Sequence, residues 1–260
     1  MCIRDSGTAA ALYLRGVPFV AVPTTWLGMT DAAIGGKVAV DLSNAKNAAG
    51  AFWPPSAVLG DVATLRTLPR ARRLDGMAES LKAGLIGDPV LWRLVETRGR
   101  ESLHRDEAAR YAIIDRSVQL KLRVVERDLF ERGERRTLNL GHTIGHALEV
   151  ESGFKLPHGQ AVVHGLRAVA AVSRRWGADP DLADRIDRVA AGLGFELRRD
   201  FDMAVVKRAL GSDKKRHRGR QRWIMPMSVG TVIEVDDLTE EELDLALATI
   251  ATNGETKEAA

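Results

Sequence analysis

The amino-acid sequence predicts two structural classes in succession, a short α/β segment followed by a longer all-helical segment. Before Pro69, short β-branched apolar runs end at proline or aspartate, which is typical of buried strands. After Pro69, apolar residues recur at intervals of three and four in stretches separated by glycines, which indicates helices. We therefore predict an α/β domain over residues 1–69 and an α-helical domain over residues 70–260.

Composition narrows the class of protein and of partner. The 260 residues are 45% hydrophobic and 28% charged, as in ordinary globular chains, and the formal net charge is only +3. Lysines and arginines are interleaved with acidic residues, so we expect no nucleic-acid partner. No apolar run reaches transmembrane length, so we expect no membrane partner. The single cysteine, Cys2, excludes an intramolecular disulfide framework and is typical of the reducing cytoplasm.

The first residues suggest a chain that has lost its natural beginning. Met1–Ser6 resembles a non-native leader. The pattern of Gly7–Leu14 is typical of the later part of a helix whose beginning is missing. Val17–Val22 is a β-branched run that predicts a buried strand. Thr24 and Thr25 follow its carboxyl end, where open α/β sheets bind ligands. A strand end with a threonine cap is the simpler interpretation of this piece alone.

Polar side chains then lie among glycines and small residues. The Gly35-Gly36 pair lets the backbone approach a ligand closely, and lysines beside such a turn are natural phosphate contacts. A hairpin with solvated lysines is an equally good interpretation of this pattern. The side chains concerned are Lys37, Lys46 and Asn47. Val58–Asp61 predicts one more short strand, and the turn Thr64–Thr67 follows it.

The remainder of the chain predicts helices interrupted by one β pair. The predicted helices are Arg70–Leu85, Pro89–Thr97, Glu107–Arg127, Arg135–Val150, Gln160–Trp176, Pro180–Ala191, Asp202–Leu210 and Thr239–Ile250. The β pair is predicted at Arg222–Met225 and Thr231–Val235.

Three histidines lie close together in the sequence around one of these helices. His142 and His146 are four residues apart, so on a helix both imidazoles lie on one face. Two imidazoles at this spacing can bind one divalent metal, with His158 on its Pro-His-Gly turn as a third ligand. Capping or core histidines are the ordinary alternative. Glu79, three residues before Lys82 on an apolar helix, could instead complete a Glu-His-His site, or the two could form a surface pair.

Further cationic residues are scattered through the helical segment. They are Lys121, Arg135, Lys214 and Lys215, and each taken alone is more typical of a solvated surface than of a site. The basic stretch from Lys214 to Arg222 lacks the interleaved aromatic residues that nucleic-acid stacking needs.

Taken together, these motifs resemble the 3-dehydroquinate synthase family of sugar-phosphate cyclases in order and spacing. The similarity runs from Gly7 to Val235. The matching segments are Tyr13–Val17, Val22–Thr25, Asp31–Lys37, Lys46-Asn47, Ala78-Glu79 with Lys82, Lys121, Arg135 with Leu138-Asn139, Gly141–Thr143 with Gly145-His146, His158-Gly159 and Asp213–Lys215.

The resemblance implies a remnant of an N-terminal NAD-binding α/β domain followed by a C-terminal helical metal-binding domain. Members of the family convert a small phosphorylated sugar acid, 3-deoxy-D-arabino-heptulosonate 7-phosphate, to 3-dehydroquinate and phosphate in the shikimate pathway, and NAD is consumed and regenerated in each turnover. The implied metal ligands are Glu79, His142 and His158, with zinc as the first choice of divalent metal and cobalt as an alternative. A homodimer is also implied, with Arg15 crossing its interface.

The resemblance assigns roles to further residues. The implied catalytic residues are Lys37, Lys82, Lys121, Arg135, Asn139 and His146. The implied NAD-binding residues are Thr24, Thr25, Asp31, Lys37, Lys46, Thr64, Leu65, Arg66 and Thr67. The implied substrate-binding residues are Arg15, Asp31, Asn47, Lys82, Lys121, Arg135, Asn139, His146, Lys214 and Lys215. On this assignment His146 contacts the substrate phosphate and not the metal.

The sequence departs from the family pattern at several places. The glycine-rich nucleotide motif expected before Gly7 is absent, and Gln160 stands where many members have glutamate. We therefore expect this chain to bind metal, to bind NAD poorly and to turn over little substrate. Two alternative functions are another NAD-dependent cyclase that makes a cyclitol, and a metal-dependent alcohol dehydrogenase of the same fold.

Overall fold

A computed structural model describes residues 3–42, 45–211 and 221–252. The chain divides into two compact units, one formed by Met1–Ser80 with Thr97–Arg135 and the other by Leu81–Glu96 with Arg136–Ala260. Two helices, Arg70–Gly87 and Pro89–Ser102, each continue from one unit into the other. A single domain boundary after residue 69 stays a prediction.

The first unit combines short strands with helices. Helix α1 (Ile3–Leu12) precedes strand β1 (Val20–Ala21), and a π-helical turn covers Gly28–Ala32. Strands β2 (Lys37–Leu42) and β3 (Ala45–Phe52) form an antiparallel hairpin in which Lys37 pairs with Phe52. Strand β4 (Ala57–Val58) lies parallel to β1, with Val20 opposite Ala57. Helices α2 (Arg70–Gly87), α3 (Pro89–Ser102) and α4 (Glu107–Arg127) follow.

The strand predicted at Val17–Val22 is correct in type but too long. Only Val20 and Ala21 pair with another strand. The amide of Val17 binds the carbonyl of Ala10 in α1, and Pro18 has no amide hydrogen, so the beginning of the run cannot join a ladder.

A buried polar chain fixes α2 in the core of this unit. The indole of Trp26 is fully buried, and its Nε1 donates to the hydroxyl of Ser80 at 3.1 Å. The hydroxyl of Ser117 on α4 donates in turn to Ser80 at 2.9 Å. These bonds satisfy groups that would otherwise be costly to bury, and they hold the turn of α2 that carries Glu79.

The second unit is mainly helical. It contains α5 (His142–Glu151), α6 (His158–Ser173), α7 (Leu182–Leu193), α8 (Met203–Gly211), the antiparallel strands β5 (Arg222–Ser228) and β6 (Thr231–Asp236), and α9 (Glu240–Ile250). Helix α6 is buried over almost its whole length and packs against α5, α7, α9 and β5. Thr239 and Glu242 begin α9 with a capping box. Within the described ranges, no helix has both the length and the apolar character needed to span a membrane.

The single helix predicted over Arg135–Val150 is wrong. A 3₁₀ turn covers Glu134–Asn139, and α5 begins only at His142. Gly141 between them has φ of 75°, a left-handed conformation that interrupts an α-helix and favours glycine. A Cβ atom at this position would also lie 2.9 Å from the backbone nitrogen of Leu166. Apolar periodicity continues through the break, and for that reason the sequence pattern did not reveal it.

Candidate metal and substrate site

Two histidines occupy the first positions of neighbouring helices. His142 begins α5 and His158 begins α6. The helices approach so closely that a Cβ atom at Gly165 of α6 would overlap the carbonyl oxygen of Gly141. A Cβ atom at Gly145 would lie 3.0 Å from the carbonyl oxygen of Ala161. The packing of backbone on backbone therefore sets the positions of the two imidazole-bearing helix ends.

A carboxylate from α2 joins these imidazoles. Glu79 lies one residue before the point where the unbroken helix α2 continues into the second unit. One potential ligand atom from each of Glu79, His142 and His158 lies within 4.8 Å of the others. Glu79 is buried, with 3% of its surface exposed, so its carboxylate is largely withdrawn from water. One carboxylate and two imidazoles form a donor set typical of catalytic zinc sites, in which a further position stays open.

The hydrogen bonds of the two imidazoles fit this donor set. The Nδ1 atom of His142 lies 3.1 Å from the carbonyl oxygen of Leu140, and the Nδ1 atom of His158 lies 3.2 Å from Oε1 of Glu149. Both partners are acceptors, so each Nδ1 carries the proton and each Nε2 keeps its lone pair for a metal. A hydrogen bond from the other ring nitrogen is the usual support of a metal-binding histidine.

His146 lies beside this group without belonging to it. Its ring centroid is 5.3 Å from that of His142 and 6.4 Å from that of His158. Among the described residues, the group that could hold a metal ion consists of Glu79, His142 and His158. The structure thus groups the residues that the family resemblance implies, and not the His142–His146 pair that the spacing alone suggests.

Lys82 is the second charged residue of the α2 segment. It is buried, with 3% of its surface exposed, and its Nζ donates to the carbonyl oxygen of Leu138 at 2.7 Å. Leu138 and Asn139 belong to the 3₁₀ turn that precedes α5. A buried ammonium group held in this way is not the solvated surface residue that a simple Glu–Lys pair would provide.

In the first unit, three predicted residues take part in three partly buried polar contacts. The Nζ of Lys121 on α4 lies 2.5 Å from Oδ1 of Asp31. The guanidinium of Arg135 donates to the carbonyl oxygens of Gly35, at 2.7 Å, and of Leu129. Burial lowers the pKa of Arg135 from its ordinary value, while nearby carboxylates oppose the shift.

The position of Arg135 depends on a loop, residues 128–133, that is not among the predicted elements. The carboxylate of Asp128 accepts hydrogen bonds from the backbone amides of Arg132, Gly133 and Arg135 at 2.7–3.1 Å. These amides lower the pKa of Asp128. Lys37 pairs with Glu131 of the same loop. The signal in the sequence for this loop was Asp128, which directly follows the predicted helix Glu107–Arg127 and precedes Gly133.

The other predicted residues make mainly local contacts. The Oγ1 of Thr25 accepts from the amide of Gly28 at 3.0 Å, and the hydroxyls of Thr64 and Thr67 donate to carbonyls three residues earlier. Leu65 is fully buried and Arg66 pairs with Glu107. Thr24 and Arg15 are exposed, and Arg15 has φ of 67°. Lys46 and Asn47 lie on β3, whereas Lys214 and Lys215 lie outside the described residues.

Comparison with known proteins identifies the family. Residues 2–75 match the model of the 3-dehydroquinate synthase N-terminal domain, and residues 76–216 match that of the C-terminal domain. The chain is 39% identical over 242 residues to the 3-dehydroquinate synthase of Symbiobacterium thermophilum, covering 92% of this chain and 68% of the relative. It is 39% identical over 254 residues to that of Xylella fastidiosa strain M23, covering 94% of this chain and 68% of the relative.

Solved structures agree with the fold prediction. A 2-epi-5-epi-valiolone synthase from Streptomyces hygroscopicus subsp. jinggangensis 5008, with NAD⁺ and Zn²⁺ bound, matches with a TM-score of 0.88 and 30% identity over 94% of this chain and 69% of that one. A 2-deoxy-scyllo-inosose synthase complexed with carbaglucose-6-phosphate, NAD⁺ and Co²⁺ has the same fold, with a TM-score of 0.82 and 22% identity over 94% of this chain and 71% of that one. The predicted α/β segment followed by a helical domain is confirmed. The chain belongs to the 3-dehydroquinate synthase family of enzymes.

Proposed function

We propose that the chain acts as a 3-dehydroquinate synthase, converting 3-deoxy-D-arabino-heptulosonate 7-phosphate to 3-dehydroquinate and phosphate with NAD and a divalent metal. The observation that carries the proposal is the convergence of Glu79, His142 and His158 within 4.8 Å. Family membership supplies the reaction, and the two solved neighbours, whose structures contain NAD⁺ with Zn²⁺ or Co²⁺, support the cofactors.

The ligand residues suit zinc in their chemistry. Glu79 would supply one carboxylate oxygen, and His142 and His158 would each supply Nε2. When bound, the metal would polarise a substrate hydroxyl, and NAD would accept a hydride and later return it. Leu140 and Glu149 orient the two imidazoles by accepting from Nδ1, which leaves Nε2 of each ring as the atom that would bind a cation.

The cationic residues are proposed to bind the substrate and to stabilise its phosphate. Within the second unit, buried Lys82 and neighbouring Asn139 would contact the substrate, and His146 beside the ligand group would donate a proton or a hydrogen bond to the leaving phosphate. Within the first unit, Lys121 and Asp31 hold each other in one orientation, and Arg135 is fixed by two carbonyls. Because these side chains are already fixed in position, little free energy is lost in ordering them when charge develops on the phosphate.

The remaining assignments complete the proposal. NAD would be contacted by Thr24, Thr25, Lys37, Lys46 and the Thr64–Thr67 turn. The substrate would be contacted by Arg15, Asn47, Lys214 and Lys215. We also propose a homodimer and a cytoplasmic location, the latter supported by the single cysteine.

Metal titration of the purified chain is the first test. We expect the metal-stripped protein to bind one equivalent of Zn²⁺, and the substitutions Glu79→Gln, His142→Ala and His158→Ala each to weaken binding by about 100-fold or more. His104→Ala, at a histidine outside the group, is the matched control. Equal Zn²⁺ affinity in all four variants and the parent would contradict the assignment.

Phosphate release then separates the candidate reactions. The chain is incubated with NAD, Zn²⁺ and the heptulosonate phosphate, and the Symbiobacterium thermophilum enzyme serves as positive control. Phosphate released without accumulation of reduced NAD supports the cyclase, whereas accumulating reduced NAD indicates an alcohol dehydrogenase. The cyclitol-forming alternative predicts release from other sugar phosphates in preference to this one. The 39% identity to 3-dehydroquinate synthases, against 30% to the valiolone synthase, favours the first reaction.

A further inference from the structure

Gln160 lies in the first turn of α6, two residues after His158, and its amide joins three groups. Its Oε1 accepts from the backbone N–H of Glu196 at 3.1 Å, and its Nε2 donates to the carbonyl oxygen of Glu196 at 2.6 Å. The same Nε2 lies 3.0 Å from the Nε2 of His164. The backbone of Glu196 binds both Oε1 and Nε2 of Gln160, and this determines which atom of the side-chain amide is the nitrogen. In the contact with His164, Nε2 of Gln160 is therefore the donor.

His164 is therefore a hydrogen-bond acceptor at Nε2 and carries its proton on Nδ1. It is fully buried, and its Nδ1 has no hydrogen-bond partner among the residues that the structure describes. Burial and the positive charges of Arg167 and Arg199 lower the pKa of His164 to about 4, which keeps the ring neutral at pH 7. The ring thus remains available to accept from Gln160.

The backbone segment from Phe195 to Arg199 is tied to both histidine-bearing helices. Arg167 of α6 donates to the carbonyl oxygen of Leu197 and forms a two-point contact with Asp187 at 2.6 and 2.8 Å. Arg199 pairs with Glu151, at the end of α5, at 3.2 Å. Of the residues that bind this segment, Gln160 lies closest in sequence to His158. Its hydrogen bonds therefore hold the first turn of α6 most directly.

We propose that Gln160 and His164 are positioning residues, which hold the first turn of α6, and with it His158, at the spacing that a divalent metal requires. The inference rests on the proposed metal site. An amide at position 160 suits the partners present in this chain, because it donates two hydrogen bonds, to Glu196 and His164, and accepts a third; the glutamate that many family members have there would need other partners. A glutamate of the same shape has no N–H, so the carbonyl of Glu196 and the ring of His164 would both face a carboxylate.

The test is the substitution Gln160→Glu, with Gln119→Glu as the matched control because Gln119 is exposed on α4 and undergoes the same change of charge. Metal-stripped protein is titrated with Co²⁺ at pH 7, and its visible absorption spectrum is recorded. We expect the Co²⁺ affinity of Gln160→Glu to fall by about 10-fold or more with an altered spectrum, and that of the control to equal the parent.

A pair of substitutions at His164 separates positioning from stability. His164→Leu fills the buried space with apolar groups but removes the acceptor, so the metal-free variant should keep the unfolding temperature of the parent and bind Co²⁺ more weakly. His164→Gln keeps an acceptor and should restore the affinity. Parental Co²⁺ affinity and spectrum in folded Gln160→Glu and His164→Leu would overturn the inference. A parent that takes up no Co²⁺ would instead overturn the metal site itself.

Discussion

The ammonium nitrogen of Lys121 lies 2.5 Å from both Oδ1 and the backbone carbonyl oxygen of Asp31, although the two residues are 90 positions apart. Asp31 lies on the π-helical turn and Lys121 on α4, so one side chain joins two elements of the first unit. Both side chains are mostly buried, with 11% and 20% exposure for Lys121 and Asp31. A pair at this depth is expensive to break on one side only, because the remaining charge stays buried.

We expect Lys121→Met to lower the free energy of unfolding by about 2 kcal/mol, since the carboxylate of Asp31 loses its closest cation. Urea unfolding measures the change. Lys207→Met is the matched control, because Lys207 pairs with Asp244 at 2.5 Å but both side chains are more exposed. Its effect should stay below about 1 kcal/mol. Equal losses in the two variants would show that burial of the Asp31 pair is energetically unimportant.

A second prediction concerns the glycine that contacts Arg135. Gly35 has φ of 95°, and a Cβ atom there would lie 2.5 Å from Nη2 of Arg135. We expect Gly35→Ala to cost about 2 kcal/mol of stability or more, because the backbone would be strained and the guanidinium displaced. Gly192→Ala provides the control, since nothing lies within 4 Å of its Cβ position in α7. That change should raise stability by about 0.5–1 kcal/mol in thermal unfolding.

The low pKa of His164 predicts a pH dependence of folding. The unfolded chain binds a proton at this residue near pH 6.5, whereas the folded protein does so only near pH 4. The pKa of His164 is lower in the folded than in the unfolded protein. The stability that the neutral ring contributes to the folded protein is therefore fully present above pH 6.5, and it declines as the pH falls from 6.5 to about 4. The loss attributable to this group is about 3 kcal/mol over that interval.

Urea midpoints measured from pH 7 to pH 4 would test this dependence. His164→Leu has no group that titrates at this position, so its midpoint should decline less steeply than that of the parent in the same interval. Parallel curves for the two proteins would show that His164 takes up its proton equally well in both states.

A fourth prediction concerns the carboxylate behind His158. Glu149 is 3% exposed and lies 3.2 Å from the Nδ1 of His158. We expect Glu149→Gln to weaken Zn²⁺ binding by about 10- to 100-fold, because the neutral amide supports the proton on Nδ1 less strongly. Titration of the metal-stripped protein measures the affinity. Glu126→Gln, at an exposed glutamate of α4, should leave it unchanged.

Much of the fold could be predicted because its signals are local. Helix α4 has the predicted ends, Glu107 and Arg127, since Asp106 caps the first turn and the apolar stripe is regular. The start of α5 was not predictable from periodicity, because the break at Gly141 depends on the close approach of α6.

The candidate site divides in the same way. Histidine spacing suggested a metal site and Glu79 was one possible further ligand, but only the resemblance to a known family selected Glu79, His142 and His158 and left out His146. Glu149, seven residues after His142 on the same helix, carried a weak signal, since one acidic residue among apolar ones has many ordinary explanations. The Asp31–Lys121 contact had no signal in spacing or periodicity, because it joins residues that only tertiary folding brings together, although the resemblance implied a substrate-binding role for both.

The contact between Gly141 and Gly165 has a consequence for how this chain can accumulate substitutions. Main-chain atoms, whose dimensions do not vary with sequence, separate the beginning of α5 from the middle of α6 at this crossing. Replacements of distant core residues on α9, such as Leu247, therefore alter stability while the interval between His142 and His158 stays nearly constant. Relatives with widely different helical cores can accordingly keep the same distance between these two imidazoles, provided that both glycines are retained.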